Sequence, residues 1–74
     1  MNKFYVVNVW YDGFNDKGGY KVMACAKSLY DAALTVKLLR RPSECMVVRD
    51  GSNGKRYSYA DLIDSWTGKP LVAN

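Results

Sequence analysis

The side chains of this chain that could do chemistry are few, and their types narrow the options. There is no histidine, so the side chain most often used as a general base near neutral pH is missing. Of the seven carboxylates, Asp31 and Asp61 each follow a serine by three residues, the spacing of a helix-start cap. Asp12, Asp16 and Asp50 stand in turn-like stretches, and only Glu44 and Asp64 belong to no motif. No serine or cysteine has a base partner in any recognisable pattern. Gly18-Gly19 precedes a strand-like run, whereas phosphate-cradling glycines precede a helix. Cys25 and Cys45 have neither a CxxC spacing nor a histidine to complete a zinc set, and they read as reduced core or sheet residues. The loop Asp12–Gly19 is acidic, but its oxygen spacing is not that of an EF-hand and the closing glutamate is absent. These residues point to a protein that is not an enzyme and carries no metal or cofactor.

What remains is the chemistry of binding. Eleven Lys and Arg against seven acids give a net charge of +4, which favours acidic partners without demanding nucleic acid. The cations fall into two groups. Lys37, Arg40 and Arg41 close the longest helical run, where positive charge offsets the negative helix end by about 0.3–1 kcal/mol. Arg49, Lys55 and Arg56 flank a turn, where three like charges must be solvated or face an acidic partner. Aromatic residues make up 14% of the chain, enough for a tightly packed core or for an adhesive surface.

The elements that position these groups follow from periodicity. Lys3–Tyr11 is rich in β-branched and aromatic residues and ends at Asp12-Gly13, so it reads as a strand entering a long hairpin loop with Phe14 at its tip. Tyr20–Ala26 is the second strand, with Val22, Ala24 and Ala26 expected beneath a helix beside Tyr5, Val7 and Val9. Ser28 caps a helix over about Leu29–Arg40, stopped by Pro42. Leu29, Ala32, Ala33, Val36 and Leu39 form its core stripe, and Tyr30, Leu34 and Leu38 form a second apolar stripe. Cys45–Arg49 and Lys55–Tyr57 make a hairpin around Asp50–Gly54. Ser58 then caps a short terminal helix with Tyr59, Leu62, Ile63 and Trp66 on one face, ended by Gly68 and Pro70, and the tail from Lys69 is expected loose or along the surface. The result is one α+β domain over residues 1–74: a four-stranded, mainly antiparallel sheet in the order ββαββα, with one long helix on a face and a short C-terminal helix.

Two surfaces compete for the binding role. The stripe Tyr30, Leu34 and Leu38, edged by Lys37, Arg40 and Arg41, resembles a modest protein interface, unless the terminal helix or a second copy of the chain covers it. A sheet face with Phe4, Trp10, Lys21 and Met23, helped by the basic hairpin, suits nucleic acid, unless those residues pack under the terminal helix.

Phe4-Tyr-Val-Val7, Ala24-Cys-Ala26, Ser28-Leu-Tyr-Asp-Ala-Ala33 and Asp50–Tyr57 together resemble the plan of small phage and mobile-element α+β proteins, including some small anti-CRISPR inhibitors. The resemblance covers roughly residues 3 to 57. It implies stoichiometric binding to a protein or ribonucleoprotein complex, sometimes through basic residues that compete at nucleic-acid channels. The expected setting is a bacterial cytoplasm, since Met1-Asn-Lys leads into a strand and not into an apolar signal region, and no run is long enough to span a bilayer.

Overall fold

The computed structural model describes residues 3–11 and 19–73. Strands β1 (Tyr5–Tyr11) and β2 (Gly19–Ala26) lead into helix α1 (Leu29–Leu39). A 3₁₀ turn over Ser43–Cys45 follows, then β3 (Met46–Asp50), β4 (Arg56–Ser58) and the one-turn helix α2 (Tyr59–Leu62). The expected ββαββα order is therefore the order of the fold. The long loop expected after β1, with Phe14, lies outside the described residues.

The sheet runs β2-β1-β3-β4, and every neighbouring pair is antiparallel. β2 and β3 thus flank β1 and run parallel to each other, a connection that needs a helix-length crossover. Helix α1 supplies it, which is why it lies across β1 and β2. Its start is set by Ser28, whose Oγ accepts the Asp31 amide at 3.0 Å. Its end is set by Arg40 in the left-handed region (φ 54) and by Pro42 two residues on. The buried face is Ala32, Ala33 and Val36, with Leu29 and Leu39 partly buried beside it, as the periodicity predicts. Small side chains on both partners, Ala32 and Ala33 above and Ala24 and Ala26 below, let the helix approach the sheet closely.

One expectation about β2 fails at a single residue. Tyr5, Val6 and Val7 pair with Ala26, Cys25 and Ala24, but Asn8 pairs with Val22, so Met23 is an extra residue and the register shifts there. Beyond the bulge the faces exchange. Val22 joins Asn8 on the face away from the helix and is exposed, while Lys21, opposite Val9, takes the helix-side parity. Ala24 and Ala26 keep the positions expected of them.

The hairpin β3–β4 closes through Asp50 N–H to Lys55 O at 2.8 Å, with Gly54 at φ 75 supplying the left-handed residue the loop requires. Helix α2 opens with the full capping box the sequence suggests. Ser58 Oγ accepts the Asp61 amide at 3.3 Å, and Asp61 Oδ2 accepts the Ser58 amide at 2.9 Å.

The terminal helix is shorter than its periodicity implies. Ile63 turns extended (φ −127) and forms an antiparallel bridge to Pro70, so Leu62 and Ile63 are buried while Trp66 is carried out into solvent, 95% exposed. Asp64 drives this reversal. Its Oδ1 accepts the Trp66 amide at 2.8 Å and its carbonyl accepts the Gly68 amide at 2.8 Å, so turn bonds replace the next helical turn. Gly68 therefore serves a turn, and the tail is tied down: the Leu71 amide donates to Leu62 O at 2.7 Å and Val72 packs on the core. No helix among the described residues is long and apolar enough to cross a membrane.

Candidate functional site

Helix α2 contacts α1, β3 and β4, and Leu62 and Ile63 enter the same buried cluster as Val7, Val9, Val36, Met46 and Val48. Both helices therefore cover one side of the sheet. The terminal helix does not shelter Phe4, Trp10 and Met23, and the second side of the sheet carries no described element.

Three cross-strand rows make up that open side. Arg56, Arg49, Val6 and Cys25 form the first, Ser58, Val47, Asn8 and Val22 the second, and Trp10 with Tyr20 the third. Val6, at the centre, is buried; the rows around it are largely accessible. Trp10 and Tyr20 meet edge to face, ring centroids 5.1 Å apart at 75°, and are 38% and 47% exposed. Asn8 Nδ2 donates to Val6 O at 3.3 Å, which holds the amide flat on the sheet. Where the rows meet, Asn8, Tyr20, Val47, Arg49 and Arg56 line a recess of about 110 Å³.

The electrostatics of this side are one-signed. Arg49 and Arg56 are direct cross-strand partners, an arrangement that costs stability through like-charge repulsion. The register places no described Asp or Glu on that face: Asp50 lies with Tyr5, Val7 and Val48 on the helix side. Of the predicted basic hairpin, Arg49 and Arg56 thus converge. Lys55 diverges, its Nζ sitting 5.0 Å above the Tyr57 ring, which packs on the helix side.

The other predicted site lies in the helical layer. Tyr30 and Leu34 are half-buried, while Lys37, Leu38, Arg40 and Arg41 are exposed, Leu38 at 79%. The loop after α2 runs beside this stripe: a carbon added at Gly68 would lie 3.8 Å from Lys37 Nζ. Arg49 and Arg56 consequently lie in the layer opposite Lys37, Arg40 and Arg41 and form no single patch with them. Of the sheet-face candidates, Trp10 and Met23 stay on or beside the open side, Lys21 leaves it at the bulge, and the Phe4 ring closes over Gly51, where any side chain would overlap it. Asn8, Tyr20 and Val47 were not singled out by the sequence. The available signal was Asn8, a polar residue interrupting an apolar strand on the face that stays open.

The carboxylates of Asp50, Asp61 and Asp64 are engaged in turns and caps. The Ser52 hydroxyl and amide donate to Asp50 Oδ1 at 2.7 and 2.8 Å and hold that carboxyl below the usual 3.8. The Ser58 amide does the same for Asp61, with help from its hydroxyl. Folded values below the unfolded one mean that this stabilisation is complete above about pH 3.8 and is lost as pH falls through the folded values. Thermal melts should therefore hold their midpoint above that range and lose it on further acidification, and the double variant Asp50→Asn/Asp61→Asn should show a flatter acid limb. Cys25 is exposed on the open side, not in the core, and Cys45 is half-buried; neither is in a disulfide.

Comparison with protein-family models, curated proteins and solved structures finds no match for this chain.

Proposed function

We propose that this chain is a non-enzymatic binding protein whose working surface is the open sheet face, engaging a ribonucleoprotein or similarly anionic partner. The observation that carries the reading is the like-charged pair Arg49 and Arg56, set opposite each other on the side of the sheet away from both helices. Like charges opposite each other across a strand pair cost stability, and an anionic ligand between them would offset that cost. The recess beside the pair and the aromatic row beyond it give the face shape as well as charge. The involvement of Asp50, Asp61 and Asp64 in caps and turns supports a binding role over a catalytic one. An inhibitor from a phage or mobile element, acting on a bacterial defence complex, is the sharpest form of this reading, and it rests on the resemblance in plan alone.

A second reading places a protein partner on the helical layer, through Tyr30, Leu34 and Leu38 with Lys37, Arg40 and Arg41. The exposure of Leu38 and of Trp66 favours it. Retention of bacterial lysate components by immobilised protein separates the two. The open-face reading expects Arg49→Glu/Arg56→Glu to strip the bound material while Leu38→Asp/Trp66→Ala keeps it; the reverse pattern would move the working surface to the helices.

A further inference from the structure

Resting on the open-face reading, we infer that the ligand of this face is single-stranded nucleic acid, with phosphates held by Arg49 and Arg56 and a base laid against the Trp10–Tyr20 pair. Two guanidiniums that repel each other in the free protein gain most from a ligand carrying closely spaced negative charge, and guanidinium forks match phosphate oxygens in geometry as well as sign. The recess they line, about 110 Å³, is large enough for a phosphate group, and Asn8 is among its lining residues.

The aromatic row decides between polyanions. An edge-to-face contact occupies the rim of one ring and leaves that ring's own faces unused by the pair, and both residues are accessible. Tyr20 belongs both to this pair and to the wall of the recess, so the phosphate position and the stacking position adjoin. A nucleotide repeats an anion and a flat aromatic surface in a single unit. A carboxylate-rich peptide supplies the anion alone and makes no use of the exposed Tyr20 ring beside the recess. The base must also be unpaired, since stacking on a side chain requires a face that a duplex keeps inside its own stack.

The test is a fluorescence-anisotropy titration of the full chain with labelled oligo-U and oligo-dT of about ten nucleotides, beside a duplex of equal length. Binding of both single strands is expected, with the duplex weaker. Two phosphate contacts give a slope of log K against log salt of about −1.4, so affinity should fall roughly sevenfold between about 50 and 200 mM salt. Arg49→Gln/Arg56→Gln should flatten that slope, and Tyr20→Ala should weaken binding about tenfold while leaving it in place. The glutamine pair removes a repulsion and so should fold; the salt slope of the unmutated protein is a second readout independent of any variant. Absence of single-strand binding at the lower salt would overturn this inference. If the arginine variants still lost their lysate partner, the open face would stand with an acidic protein as its ligand. Single-strand binding that is indifferent to Arg49, Arg56 and Tyr20 would overturn the inference and the open-face reading together.

Discussion

Arg56→Glu is expected to make the protein slightly more stable and far poorer at binding. In the native chain Arg56 faces Arg49 directly across β3 and β4. A glutamate there converts a repulsive cross-strand pair into an attractive one, a change of about 0.2–1 kcal/mol. In a domain of this size that corresponds to a rise of roughly 1–6 °C in the melting midpoint. Binding moves the opposite way: a charge-assisted hydrogen bond of about 1.5–3 kcal/mol is lost and repulsion of the anion is added, a fall of about tenfold to a hundredfold in affinity or more. Melting followed by circular dichroism, together with the anisotropy titration, reads both quantities on one sample. Opposite movements mark a surface that gives up stability for a ligand. A lower midpoint with unchanged binding would assign the arginines to the scaffold.

Leu62→Ala and Trp66→Ala should differ by more than any other pair of large apolar truncations in the chain, although the helical spacing places the two residues on one stripe. Leu62 is fully buried in the cluster that joins α2 to α1 and the sheet. Its truncation should cost about 2–5 kcal/mol. A chain of this length has about 4–11 kcal/mol in total, so the variant should be partly unfolded at physiological temperature. Trp66 is 95% exposed on a turn held by backbone bonds, and its truncation should fall within about 0.5 kcal/mol of no change. Urea titrations of both variants check the pair. Similar losses at the two positions would mean that the helix continues past Leu62 and that the turn at Asp64 does not form.

The reasons for that divergence are also the reasons why the sequence could be read only in part. Signals that act within a few residues were legible: Ser28 and Ser58 as caps, Gly54 in the hairpin loop, the alanine-lined contact between α1 and β2, and the core stripe of α1. Signals that depend on a competing local bond were not. The Tyr59–Trp66 spacing fits a helix, yet Asp64 can cap the amide two residues ahead and Ile63 can pair with Pro70, and these together outweigh one further helical turn. The bulge at Met23 was likewise invisible, because an alternating strand gives no sign of where one residue will be left unpaired, and its consequence was to exchange Lys21 and Val22 between faces. The proposed binding surface depended on a tertiary fact, that the shortened α2 stacks beside α1 and not on the opposite side of the sheet. The sequence named Arg49 and Arg56 but could not separate them from Lys55, whose ammonium sits over the Tyr57 ring on the other side.

The central claim, that this bare face is where the protein meets its partner, is tested most directly by an amide proton–nitrogen NMR titration of the full chain with oligo-U. The account predicts shifts centred on Asn8, Tyr20, Val47, Arg49 and Arg56, together with the Trp10 indole resonance, while α1 and the turn carrying Trp66 stay silent. Shifts confined to Tyr30–Arg41 and Trp66, with the open face unmoved, would contradict it.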